Sequence, residues 1–459
     1  MPSRTLHICA LAAVLMLSLS VFSPVYAGDA EIPAPLEGPI LRSLPVPPDL
    51  PTPQKAEAPE PKKAAEAAAG YQPIAPVTGS VSLGENPPDA LNAEQLGLIE
   101  DYFFYYFESL ALLEPQDVSL LFAEDGASQA QAAMHTATFE VLTETRKLQR
   151  TDLRLTGCTY DIVIGEQRLR ENGDLMVYAT ENNTQSFACL PGVDSKTLSM
   201  GHAFYMRETE DGWRLTKHWQ NEDFHLLVSD LFRWGVRDEN LETDVEASRE
   251  MLRGIVDRIL REARENLAQR ELERLNYRGE AENVRSWDRE YDREAALEYA
   301  EAWIGERCPD WPAYDIYGGN CNNFASQVLL AGGIPMDTAG NAQWKWYGET
   351  PNEGGGAWGR SASWTGVNEF YRYAEENRGF GLVCDLTGSY FDGKPGDLLQ
   401  LGALGEWKHT VVISEVIRDQ NGGFVDYLIH SNTADRVNYP ASAYPYTGHR
   451  LIQVLGWSK

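Results

Sequence analysis

Hydrophobic and polar positions change their spacing several times along the chain, and each change marks a new element. From residue 93 to Pro115 the apolar residues Leu96, Ile99, Phe103, Tyr106, Phe107 and Leu110 recur at helical spacing, and Pro115 ends the pattern. The runs "DLRLTGCTYDIVI", "GDLMVYATENNTQSFACL" and "SMGHAFYMRETEDGWRLTKHWQNEDFHLL" are rich in strand-forming residues, and Asp211-Gly212 between two such arms predicts a hairpin. Helical spacing returns with Leu252, Ile255, Ile259, Ala263 and Leu267, set in dense charge, which predicts a long amphipathic connecting helix over 240–280 ending near Gly279. Its heptads are too irregular to specify a coiled coil, so oligomeric state stays open. A helix over 293–304 follows, then another from Cys321 with Phe324, Val328 and Leu329 on its apolar face and Gly332-Gly333 as its stop. Strands over 397–401 and 407–417 and a third in "FVDYLIHSNTADR" complete an α+β chain.

A helix followed by long antiparallel strands over 91–235 predicts a curved sheet laid over a helix. In the order of its elements this resembles the NTF2-like architecture. His202 and His218 would line such a cone, although histidines on amphipathic strands are ordinarily structural. The third folded region is 288–459.

The start of the chain predicts a different fate. Arg4, an apolar run and Val25-Tyr26-Ala27 before Gly28 form a secretory leader over 1–27, too short to span a bilayer, and no later stretch offers a membrane span. The Pro-, Ala- and Glu-rich segment over 28–90 has too little apolar content for a core and predicts a disordered tether. The expected location is therefore extracytoplasmic. The net charge of −29, made more negative by loss of Arg4, disfavours nucleic acid and anionic surfaces as partners.

Of six cysteines, Cys9 leaves with the leader. In an oxidising compartment the expected pairs are Cys158 with Cys189 and Cys308 with Cys384, leaving Cys321 as the free thiol, although Cys321 could instead pair with Cys308 or Cys384.

Cys321 is the candidate nucleophile. In "YGGNCNNFASQ" it follows glycines and the suitable cap Asn320, so its sulfur meets the positive end of a helix, where thiolate is favoured and free N–H groups can hold an oxyanion. His409 heads an apolar strand and could serve as base. His430 and Asn432 share one face of the next strand and could orient the His409 ring.

The ordered set "GNCNNFASQ", "KPGDLLQL", "WKHTVVIS" and "HSNTAD" resembles the bacterial putative amidase domain family of the papain-like NlpC/P60 and CHAP superfamily, over about 291–457. The resemblance implies a papain-like fold, a Cys321 nucleophile, a His409 base and a third polar residue. His430 is favoured as that third member on the NlpC/P60 pattern, with Asn432 its rival on the CHAP pattern. Asn320 stands where relatives often carry Asp. Trp364 and Phe370 fall in a segment resembling the family's insertion helix, and Trp344, Trp346, Trp358 and Trp407 are candidate cleft walls. Asn320, Asn323, Trp364 and Trp407 are the candidate substrate contacts.

The expected activity is a cysteine amidase or peptidase acting on peptidoglycan or a related peptide, and it needs no cofactor. Two other classes compete. One is a non-catalytic binding protein with a degenerate papain-like domain. The other is a zinc hydrolase using Cys321, His409 and His430, which neither a CxxC nor an HExxH pair supports.

Overall fold

The structure is a computed structural model and describes residues 77–84, 91–235, 244–279, 285–315, 319–338, 343–346 and 359–459. The leader, most of the tether and Trp358 lie outside the described residues.

The first half pairs helices with long strands. Helix α1 (Ala93–Leu112) starts in a capping box, Asn92 and Gln95 each accepting the other's backbone N–H at 2.9 Å. It buries Ile99, Tyr102, Phe103, Phe107 and Leu110. Helix α2 (Gly126–Leu148) was not predicted from the pattern, because its buried face is largely Ala, Thr and Ser rather than large apolar residues. Strands β2 (Leu155–Leu169), β3 (Leu175–Phe187), β4 (Asp194–Thr209) and β5 (Gly212–Gln220) form an antiparallel meander, with the last hairpin closed at Gly212, whose φ is +96°. Helix α3 (Asp223–Gly235) and the long helix α4 (Val245–Asn276) follow. Helix α4 packs along α2 and adds Leu252, Ile255 and Ile259 to the core.

One expectation is corrected at the tether. Val77–Leu83 is a strand, β1, running parallel to β2, with Val77 and Val81 packed on the core. Gly79 fits because it passes directly over the Tyr160 ring, where any side chain would collide.

The second half contains β6 (Arg289–Glu290), α5 (Arg293–Trp303), α6 (Cys321–Ala331), α7 (Ala362–Thr365), α8 (Val367–Glu376), β7 (Gly381–Asp385), β8 (Leu398–Ala403), β9 (Glu406–Arg418), β10 (Phe424–Ser431), β11 (Asp435–Pro440) and β12 (Gly448–Ser458). The two halves share one sheet, in the order β1-β2-β3-β4-β11-β10-β9-β8-β12-β6, with β5 on β4 and β7 on β12. The join is the antiparallel pairing of β11 to β4, Asp435 opposite Leu198 and Arg436 opposite Thr197. Strand alternation then separates two cores. Leu399, Leu401, Val411, Ile413 and Ile429 pack with α1 to α4, while Leu398, Val412, Ile452 and Val454 pack with α5, α6 and α8. Burial on both faces explains the near-continuous apolar runs of β8 to β10.

The expected disulfides are not formed: Cys158, Cys189, Cys308, Cys321 and Cys384 are all free thiols. Cys158 stands opposite Gln185, whereas the Cys189 backbone pairs with Asp152, six positions away along the chain, or about 20 Å of extended strand. That exceeds the reach of a disulfide. Cys384 is buried on β7, where burial pushes its thiol above the ordinary range, and Cys308 is buried in the segment between α5 and α6.

Candidate active site

Helix α6 begins at Cys321, and its first turn is held by side chains from three other segments. Asn320 occupies the cap position without capping the helix by its side chain. Its Oδ1 accepts from the Tyr314 N–H and from Asn323 Nδ2, both at 2.9 Å, and its Nδ2 donates to Asn432 Oδ1 at 2.7 Å. Its own N–H donates to Thr433 Oγ1 at 2.6 Å. Asn320 is thus a tether between the helix start and the turn after β10. The Asn320 side chain therefore does not take up the first N–H groups of α6, which have no intrahelical acceptor.

That turn is strained into place. Thr433 and Ala434 both have left-handed φ values, 75° and 48°, and the Thr433 N–H donates to Asp435 Oδ1 at 3.1 Å. Asp435 in turn accepts from Arg307 Nη1 at 2.9 Å, and Arg307 also grips Asp315 at 2.7 Å. Burial raises the Asp435 carboxyl to about 6, against the opposing pull of Arg307. Thr433, Asp435 and Arg307 were not found from sequence. The "NTAD" run that carries two of them reads only as a polar turn until Asn320 is seen beside it.

Cys321 is buried, 6% exposed, with its Sγ 4.0 Å from the Lys408 carbonyl oxygen. The sulfur therefore lies over the first residues of β9, beside His409 in the chain. Next to it, Asn322 Oδ1 accepts from Thr410 Oγ1 at 2.9 Å, so Thr410 points to the side that α6 covers. Alternation sends His409 with Val411 to the other side, where His409 stands opposite Leu401 and its ring lies 5.8 Å from that of Tyr444. Cys321 and His409 thus lie at the same level of β9, on its two sides.

His430 stands opposite Val412, three positions along β9 from His409, and its face is the one that Val412 presents to α6. Its Nδ1 accepts weakly from the Asn438 N–H at 3.4 Å, and burial lowers its pKa to about 4. Of the two candidates for the third polar residue, Asn432 is the one that its bond to Asn320 holds at the helix start.

The proposed substrate contacts divide similarly. Asn320, Asn323 and Trp364 are 3%, 1% and 0% exposed. Trp364 donates from Nε1 to Asn323 Oδ1 at 2.8 Å and packs against Trp344 and Trp311, so these are scaffold residues. Trp407 is half-buried under the Arg450 guanidinium, 4.2 Å from the ring centroid, and lines a cavity next to α4. His202 and His218 are core residues, joined to each other at 3.1 Å and to Glu181 through His202 at 3.0 Å. Among the described residues no group of three His, Cys, Asp or Glu side chains is placed to hold a metal ion, and no helix is long and apolar enough to cross a membrane.

Residues 290–455 match the family model described as "Putative amidase domain", which assigns this part of the chain an amidase-like domain. The chain is also 33% identical over 130 residues to "Uncharacterized protein YhbB" of Bacillus subtilis (strain 168), an alignment covering 27% of this chain and 37% of that protein. The chain thus spans well under half the length of this relative. No solved structure matches it.

Proposed function

We propose that the protein is an exported cysteine amidase or peptidase whose substrate is a peptide amide of the peptidoglycan type. The observation that carries this is the setting of Cys321: a thiol at an uncapped helix start, against the strand of His409, tied through Asn320 to Asn432. The amidase-family match over 290–455 supports the class of bond, and the leader-like start of the chain supports export. In the reaction, the Cys321 thiolate adds to the amide carbonyl while N–H groups of the first turn of α6 stabilise the oxyanion. In this reading the His409 ring, which lies on the face of β9 away from α6, turns to the Cys321 side, takes the thiol proton and gives it to the leaving amine. Water then hydrolyses the thioester, releasing the carboxylic acid and restoring the thiol.

A second reading is a binding protein with a degenerate site. The alternation that places His409 on the face of β9 away from α6 and Cys321 favours it. Both readings meet in one experiment, the pH dependence of Cys321 alkylation by iodoacetamide in the native protein and in His409→Ala. Fast labelling well below pH 8 that disappears without His409 supports the enzyme. Ordinary thiol behaviour in both proteins rejects it.

A further inference from the structure

Away from Cys321, a cavity of about 350 Å³ lies between the C-terminal half of α4 and the β8–β9 hairpin. Helix α4 lines it with Glu262, Asn266, Arg270 and Glu273, which recur every three or four positions and so share one face of the helix. Three of these side chains are each held to the fold by one atom and leave a second, accepting atom unused. Glu262 Oε2 accepts from the Leu404 N–H at 2.7 Å and from the Thr447 hydroxyl, while its Oε1 has no partner among the described residues. Asn266 donates from Nδ2 to the Thr447 carbonyl at 3.1 Å, which leaves its Oδ1 without one. Glu273 Oε1 accepts from the Ser389 hydroxyl at 2.6 Å and the Tyr390 N–H at 2.7 Å, and its Oε2 is likewise unused. Side chains pinned in this way lose little rotamer freedom when a ligand binds.

The charges around them are already engaged. Arg270, between the two acids, stacks on Tyr390 at 4.1 Å, donates to His449 Nδ1 at 2.7 Å and acts on the buried Asp426 carboxyl. Glu406, on the hairpin, lies 3.7 Å from Lys408. What the helix face offers a ligand is therefore acceptors, two of them on carboxylates. They are strung out, since Glu262 and Glu273 stand about 16 Å apart along the axis of α4. Among the described residues no group of three His, Cys, Asp or Glu side chains converges to hold a metal ion.

We propose that this cavity binds a linear diamine or polyamine, one ammonium on Glu262 and Asn266, another on Glu273, and the alkyl chain lying along α4 against Trp407. An ammonium brings three donors and no acceptor, which matches acceptors left over by the fold, and a thin dication reaches both ends of a space this narrow. A metal ion would need the carboxylates together, and an anionic ligand would meet them as like charges. The site does not depend on the amidase reading, and it uses none of the candidate catalytic residues.

Titration calorimetry on the purified full-length chain tests it, with octamethylenediamine as probe and octylamine, trimethylenediamine and the uncharged octamethylene glycol as comparators. Saturable binding of the long diamine in the millimolar range or tighter is expected, at least about tenfold tighter than any comparator. Glu262→Gln and Glu273→Gln keep a carbonyl for the bonds that hold each side chain and remove its charge. Each should weaken binding severalfold, and the double variant at least about tenfold. Glu250→Gln, exposed on the same helix but outside the cavity, should leave binding unchanged, which separates a site from diffuse attraction to a chain of net charge −29. Far-UV circular dichroism and thermal melting establish that each variant is folded before it is compared. The proposal is overturned if the long diamine does not bind saturably, if any comparator binds as tightly, if the folded double variant binds like wild type, or if Glu250→Gln weakens binding as much as Glu262→Gln.

Discussion

The two halves of the molecule each bury a polar cluster, and the clusters are built in opposite ways. In the first half His135, His202, His218 and His225 pack ring against ring around Tyr102 and Phe204, each at most 1% exposed, with Glu181 bonded to His202. In the second half Asn320, Cys321 and Asn432 gather where a helix begins and a left-handed turn ends a strand. The first cluster holds four buried histidines, whereas the second holds one thiol and two amides. The histidine cluster meets only part of its hydrogen bonding internally, since His218 Nδ1 and His225 Nδ1 have no partner among the described residues, whereas a helix start presents backbone donors that no intrahelical acceptor takes. Buried polarity alone is therefore a poor guide to a site.

The sharpest break in that comparison is Cys321→Ala. On the proposed chemistry it abolishes amide hydrolysis, a loss of at least about a thousandfold in kcat, while thermal stability stays near wild type. A variant that kept its activity would remove the C-terminal half from the catalytic account altogether.

The next effect belongs to the histidines. Burial, the largest cause, lowers the His135 pKa to about 4, and it holds His218 and His225 well below the ordinary imidazole range as well. Between pH 6.5 and 4 the unfolded chain binds protons that the folded chain refuses, so the His135 contribution is present above pH 6.5 and is lost as pH falls to about 4. Buried Asp397, Asp426 and Asp435, each raised to about 6, act in the opposite direction over part of this range, so the difference between wild type and His135→Gln is the quantity to follow. By chemical denaturation, the advantage of wild type over the variant should shrink by up to roughly 3 kcal/mol from pH 7 to pH 4. A difference independent of pH would mean that the cluster is charged or exposed in solution.

Asn432→Ala should lower kcat by about a hundredfold, since it cuts the tether from Asn320 and leaves that amide unpaired, with a stability loss of about 1–3 kcal/mol. His430→Gln should change kcat less, and the reverse order would restore His430 as the orienting residue. The smallest effect is expected at Gly319, whose φ is +123° and where an added Cβ would lie 3.4 Å from Thr433 Oγ1. Gly319→Ala should cost about 1–2 kcal/mol by thermal melting and lower activity only modestly, by disturbing the Asn320–Thr433 contact.

Legibility in the sequence follows the range of the interactions. Helix α1, the amphipathic α4, the β4–β5 hairpin and the start of α6 at Cys321 were all readable, because each rests on spacing, caps or turn residues within a few positions. Helix α2 was not, since small residues bury a face only when α4 lies across it. Nor was β1, which becomes a strand by adding to β2, far along the chain. Among the site residues, Cys321 and its place at a helix start were local facts. The different settings of His430 and Asn432 were not, because both share a strand face in the sequence pattern and only the approach of Asn320 to Asn432 distinguishes them.

The sequence by itself determined an α+β chain with a cysteine at the head of a helix, an apolar strand carrying His409, and a strongly acidic composition. Only the tertiary structure decided that both halves share one sheet through β4 and β11, that the five described cysteines stay unpaired, that Arg307 and Asp435 brace the turn beside Cys321, and that Arg270 meets His449. The physical reason is the same in each case. Spacing along a chain specifies which face a side chain takes, while the partner on that face comes from a segment whose position depends on the packing of the whole.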